Sequence, residues 1–77
     1  MTTLAQLSVG AAGKVVRVNQ LDEVGVRLLE MGLTPGVEVE VLGMAPLGDP
    51  IELALRGYRL SVRRSEATRV DVEPASV

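Results

Sequence analysis

Apolar residues fall at every second position over three stretches of the chain, and a period of two marks half-buried strands. Val37, Val39 and Val41 alternate with Glu38 and Glu40. Ile51, Leu53 and Leu55 alternate with Glu52, Ala54 and Arg56, and Tyr58, Leu60 and Val62 with Arg59, Ser61 and Arg63. Reading Arg56-Gly57 as a two-residue hairpin loop pairs Leu55 with Tyr58, Leu53 with Leu60 and Ile51 with Val62. Both apolar rows then share one face, whereas a slip of one residue would expose all six side chains. Glu52 falls opposite Ser61 on the outer face, with Arg59 and Arg63 on its diagonals. An arginine is a poor fit to a positive-φ turn position, which leaves room for a slightly longer loop.

A different period precedes these strands. Val24, Leu28 and Met31 are spaced i, i+4, i+7 and share one helical face, with Asp22 placed to cap the first turn. Gly25 weakens this helix and points to a close backbone approach. Gly32 stands at C′ and Leu33 at C″, where Leu33 can touch Leu28 as in a Schellman ending. Thr34-Pro35-Gly36-Val37 follows as a type II turn, with proline and glycine each at the position that favours it.

The flanks are less regular. Residues 1–13 read as a loose arm in which Leu4 and Leu7 lie on the core for one helical turn before Gly10 and Gly13 break it. Lys14 to Val18 is a first strand; Val15 and Val16 adjoin, and placing Val16 and Val18 inward lets Arg17 point out. Met44 to Pro50 is a loop, Arg64 to Ala67 a short helical turn, and Val70 and Val72 mark a last strand. Residues 74–77 read as a fraying tail. The expectation is one domain over residues 1–77, mainly β, forming a small barrel of about five strands with one α-helix after the first strand. Strands this short do best when they close on themselves, because closure removes exposed edges.

Composition narrows what such a barrel can do. The 77 residues include no Cys and no His, so no disulfide, thiolate or imidazole ligand helps a small core. With 47% apolar residues and Tyr58 as the single aromatic, the interior rests on branched aliphatics. Ser8, Ser61 and Ser65 lack a histidine to activate them, and no carboxylate pair has a cleft signature, so the chain reads as no enzyme. Glu38 and Glu40 share a strand face, with Glu30, Asp49 and Glu52 as neighbours in prospect. Carboxylates of that kind would hold a hard divalent cation only weakly, so neither a metal site nor a cofactor is assigned. Met31 fits core packing, and Met44 at a strand end is open.

Net charge is −2, which speaks against general nucleic-acid binding, although the arginine patch leaves RNA as a third-ranked reading. Arg56, Arg59, Arg63, Arg64 and Arg69 gather in the C-terminal third. They either pair with Glu38, Glu40 and Glu52 on neighbouring strands or meet an acidic partner or phosphate. One tyrosine cannot line a polyproline-reading groove, so a partner would use an aliphatic patch or a sheet edge. Met44, Pro46 and Leu47 are the apolar loop candidates, either exposed or folded back as a lid. With Arg56, Gly57 and Tyr58 they form the proposed partner-binding set, on loops at the strand ends. An unpaired edge strand would also allow a weak homo-oligomer. No stretch resembles a signal peptide or an apolar span long enough for a bilayer, which fits a cytoplasmic protein.

Taken together, RLLEMGLTPGVEVEV (Arg27 to Val41) and GDPIELALRGYRLSVRRSEATRVDV (Gly48 to Val72) resemble the FeoA family of bacterial ferrous iron transport accessory proteins. Leu4, Leu7 and Gly10 match its N-terminal L-x-x-L-x-x-G segment. Val62 departs where Leu is usual, and Ser61 where Ala is common. The resemblance implies an SH3-like barrel, cytoplasmic location, transition-metal binding and action on the membrane GTPase transporter of ferrous iron, as a helper or regulator and not as a carrier. The alternative it implies is a metal-responsive module like the C-terminal domain of iron- and manganese-dependent repressors.

Overall fold

The computed structural model describes residues 2–75. Six strands are β1 (Thr2–Thr3), β2 (Ala12–Val18), β3 (Glu38–Met44), β4 (Ile51–Leu55), β5 (Tyr58–Val62) and β6 (Val70–Pro74). Two helices are α1 (Glu23–Glu30) and α2 (Arg64–Ala67), and Leu4–Gln6 make a 3₁₀ turn. All neighbouring strands are antiparallel, in the order β1-β6-β2-β3-β4-β5. This is a mainly β barrel-like fold with a helix after the first long strand. The ladder does not close, however: β1 and β5 remain its two edges.

The alternation reads through to the core. Val39, Val41, Ile51, Leu53, Leu55, Val62, Val70 and Val72 are buried, together with Leu4, Leu7, Leu28 and Leu33. The hairpin register is the expected one, with Leu55 opposite Tyr58, Leu53 opposite Leu60 and Ile51 opposite Val62. Its turn is the two residues Arg56-Gly57, and Gly57 alone takes the positive φ, 78°, so the arginine is not strained. Burial grades along β5: Val62 is buried, Leu60 half-buried and Tyr58 45% exposed. An edge strand has a neighbour on one side only, so its apolar row is covered only where the core reaches it.

Three expectations differ from the structure. Val15 and Val18 are the buried residues of β2, and Val16 is only half-buried. A bulge is the reason: Val15 pairs with Val72 and Arg17 with Asp71, so Val16 is the extra residue and the facing shifts there. The arm is not loose. Thr2 and Thr3 pair with Val72 and Asp71, Leu4 and Leu7 are buried, and the Gln6 amide oxygen accepts from Thr3 N at 3.0 Å. Gly13 and Ala12 already belong to β2, which starts before Lys14. The tail is likewise ordered as far as it is described: Pro74 pairs with Gly13, and Ala75 N donates to Ala12 O at 2.9 Å. Ser76 and Val77 lie outside the described residues.

Both ends of α1 are tightly specified. Asp22 accepts from Gly25 N at 2.9 Å and so caps the first turn. The Asp22 carboxylate also pairs with Arg69, which holds its pKa below the ordinary carboxylate value, and the Gly25 amide adds to this. At the other end Leu33 N donates to Leu28 O at 3.1 Å and Gly32 N to Leu29 O at 3.0 Å, the paired bonds of a Schellman motif. Val37 N then donates to Thr34 O at 3.1 Å and closes the type II turn.

Two glycines let α1 and its C-terminal end come close to their neighbours, the β2–α1 connection and β5. A Cβ on Gly25 would stand 2.0 Å from the Gln20 carbonyl oxygen, and Gln20 itself is held at a φ of 59°. Gly32, at φ 109°, would put a Cβ 1.9 Å from the Tyr58 hydroxyl, which donates to Met31 O at 2.7 Å. The hairpin is thus latched to the helix end through one tyrosine. Two ion pairs add to the frame: Arg27 with Glu66 joins α1 to α2, and Arg17 with Asp71 joins β2 to β6 at 3.0 Å.

Three outcomes follow from these contacts. Helix propensity alone would make Gly25→Ala stabilising by about 1 kcal/mol; the backbone collision outweighs it, and thermal unfolding will show a net loss of about 1–3 kcal/mol. Gly32→Ala and Tyr58→Phe will each lower the melting temperature. The double variant will lose less than their sum, because removing the hydroxyl vacates the space the new methyl needs. Strict additivity would contradict the latch. For Asp22, the folded pKa is depressed, so its contribution is complete above the unfolded value and is lost as pH falls through the folded one. The native chain will therefore lose stability as pH falls below about 5 and on through the ordinary aspartate range near 4, and Asp22→Asn will flatten that part of the profile.

Candidate functional site: the β4–β5 hairpin and its ends

The expected contact residues fall into two groups, one at each end of β4. Met44 pairs with Ile51 where the β3–β4 loop begins, and Leu55 pairs with Tyr58 at the hairpin turn. Five strand residues separate the two ends by roughly 13 Å or more at 3.3 Å per residue. Met44, Pro46 and Leu47 therefore do not share a single pocket with Arg56, Gly57 and Tyr58. What links them is β5, which runs from the turn back towards the loop.

At the loop end, Leu47 is 95% exposed and Pro46 is exposed, so neither acts as a lid. Met44 is half-buried and packs against the core, with the Arg64 guanidinium 3.9 Å from its sulfur. The loop is held to α2 by Asp49, whose carboxylate accepts from Arg64 N at 3.0 Å, while Glu66 accepts from Arg63 N at 3.0 Å. These two carboxylates satisfy orphan amides at the start of α2. Arg63-x-x-Glu66 has the spacing of a capping box, a local signal that alternation of apolar residues does not reveal.

At the turn end, an open groove of about 350 Å³ is lined by Ala12, Glu38, Val39, Glu40, Ala54, Leu55 and Arg56. Register explains its shape. Ala12 lies opposite Glu40 and Glu40 opposite Ala54, so two small side chains flank one carboxylate on the outer face. An adjoining groove of about 290 Å³ adds Gly13, Lys14, Glu73, Pro74 and Ala75. Lys14 stands between Glu38 on one side and Glu73 on the other.

The arginines pair differently from the expectation. Asp22 takes Arg69, Glu66 takes Arg27 and Asp71 takes Arg17. Glu38, Glu40 and Glu52 form no ion pair among the described residues, and neither do Arg56, Arg59 and Arg63. Neighbouring strands hold these side chains extended from the pleat, and exposed pairs gain too little to draw them together. Among the described residues no three acidic groups converge. Asp49 is committed to α2, and the sequence has no His or Cys. The donor set of this chain does not fit a tight transition-metal site.

The family of the chain follows from its likeness to known proteins. The model of the FeoA domain matches residues 2–74. A Porphyromonas gingivalis Fe(2+) transport protein A/Fe(2+) transporter FeoB fusion protein is 36% identical over 70 residues. That match takes in 91% of this chain but only 8% of the relative's length. The FeoA-like protein of Clostridium acetobutylicum superposes with a TM-score of 0.91 at 37% identity, covering 99% of this chain and 88% of that one. FeoA of Stenotrophomonas maltophilia, solved with zinc and described as a prokaryotic SH3 domain protein, gives 0.84 at 32% identity, with 95% and 91% covered. A manganese-dependent transcriptional repressor shares the fold at 19% identity over 36% of its chain. With its whole described sheet inside the matched region, this chain belongs to the FeoA domain family.

Proposed function

We propose that this chain is an accessory module of bacterial ferrous iron uptake that works by docking onto the cytosolic part of a membrane iron transporter carrying a GTPase domain. The observation that carries this reading is the relative in which a segment like this chain and an iron transporter form one polypeptide. Fusion keeps two modules at high effective concentration, an arrangement that suits a pair whose contact matters. No helix of the described residues is long and apolar enough to cross a membrane, which suits a module brought to the membrane by its partner. The chemistry points the same way: the sequence has no histidine to activate a serine, and among the described residues no three metal-donor groups converge, so what it offers a partner is surface.

Docking would use the two ends of the β4–β5 hairpin. Leu47 offers an apolar anchor with nearly all of its side chain free, and Arg56, Gly57 and Tyr58 offer a cationic, partly aromatic turn. Tyrosine and arginine are among the residues that dominate interface energies. The likeness to the manganese-dependent repressor is one of fold, and no observation favours a metal-responsive reading over this one.

Affinity purification of the full chain with its cognate transporter, paired with ferrous iron uptake in a deletion strain, tests the proposal. The chain will retain the transporter, and uptake will fall on deletion. Leu47→Asp and Arg56→Glu will each weaken retention about tenfold or more while leaving the melting temperature near that of the native chain. Failure to retain the transporter, together with unchanged uptake on deletion, would overturn it.

A further inference from the structure

The arginines without a carboxylate partner among the described residues lie close together along the chain. Ion pairs occupy Arg17, Arg27 and Arg69, on the side built from α1, α2, β2 and β6, and Lys14 lies between two glutamates. The guanidinium groups without a carboxylate partner among the described residues include Arg56 in the turn, Arg59 on β5 and Arg63, which follows β5 as the N-cap of α2. Alternation puts Arg59 and Ser61 on the same outer face of β5, since Leu60 and Val62 face inward, and Arg63 leaves the end of that strand.

The backbone of β5 is unmatched in the same place. A two-residue turn requires Leu55 and Tyr58 to exchange both hydrogen bonds, and the pattern repeats at Leu53–Leu60 and Ile51–Val62. Arg59 and Ser61 therefore turn their N–H and C=O groups away from β4. β5 is the last strand of the sheet, and no backbone bond from Arg59 or Ser61 to a turn or loop is made among the described residues. Charge is the one common edge device present: this five-residue edge carries no proline and no bulge.

We propose that the free edge of β5 accepts an extended acidic segment of a partner protein as a further strand. Its main chain would bond to Arg59 and Ser61, and carboxylates at alternate positions would meet Arg59 and Arg63. Guanidinium forks bind carboxylates in two-point fashion, so strand addition supplies main-chain affinity and the arginines supply the choice of sequence. A second copy of this chain is a poor occupant, because antiparallel pairing of two β5 edges brings the arginines of both copies onto one face. The site goes beyond the iron-uptake reading and does not depend on which protein supplies the strand.

The test uses the full chain, isotopically labelled, titrated with a synthetic peptide of alternating glutamate and valine and with its lysine counterpart. The acidic peptide will shift the Arg59 and Ser61 amides, slow their exchange and give cross-strand contacts to β5. Affinity will fall by roughly tenfold between low and physiological-to-high salt as the pairs are screened. The Arg59→Glu/Arg63→Glu variant will lose binding at least tenfold. Ser61→Pro will also lose it while the chain stays folded, since that N–H takes no part in the ladder with β4. No shift at millimolar acidic peptide overturns the proposal, as does equal binding of the lysine peptide. Shifts confined to the Glu38–Glu40 groove, an equal response to a uridine oligonucleotide, or self-association through β5 would overturn it too.

Discussion

The constraint on which the rest of this structure depends is that its interior must be filled by aliphatic side chains, mostly leucine and valine, without an aromatic. No cysteine or histidine is present to staple a 77-residue chain, and the single aromatic lies at the surface. Short aliphatic side chains fill the space only if the backbones around them come close. That is why α1 meets the Gln20 carbonyl through Gly25 and the Tyr58 hydroxyl through Gly32. A close approach of this kind is intolerant of one added carbon, in the way close-packed interiors generally are.

The same constraint decides what is left outside. Every inward position of β3, β4 and β6 is taken by an aliphatic residue, so the charged residues are all on outer faces and at helix ends. Those at helix ends are used structurally: Asp22 caps α1 and holds Arg69, Glu66 binds Arg27 and caps α2, and Asp49 serves the same short helix. Those on β4, its turn and β5 are not used structurally. Unpaired carboxylates such as Glu23, Glu30 and Glu73 occur elsewhere among the described residues, so what sets the hairpin apart is its run of unpaired arginines. This suits a module whose work is contact.

Much of this was legible in the chain itself. The hairpin register, the Schellman ending, the type II turn and the cap at Asp22 each follow from residues within a few positions of one another. Gly25 was readable as a close approach because a glycine inside a helix needs a reason, although the sequence does not name Gln20 as the group it meets. Less could be read where the deciding partner is distant. Val15 and Val16 adjoin, and only β6, more than fifty residues away, determines that Val16 is the bulged one. The two-residue β1 and the pairing of Ala75 with Ala12 depend on the same remote strand. Ion pairing was hardest to foresee, since arginines and glutamates that share a face by register did not pair, whereas Asp22 and Arg69, 47 positions apart, did. The two ends of the candidate surface were each visible as loops, but their separation along β4 emerged only with the sheet order.

The central claim is a firmly packed aliphatic barrel whose ladder is left open along β5. Native-state amide exchange of the free full-length chain tests this most directly. Val39, Val41 and Leu53 will exchange slowly, and along β5 protection will alternate: Leu60 and Val62 slow, Arg59 and Ser61 close to unstructured rates. Equal protection of all four β5 amides would contradict the account, because it would mean that the edge is already paired, and so would equal lack of protection, because the hairpin would then not be formed as described.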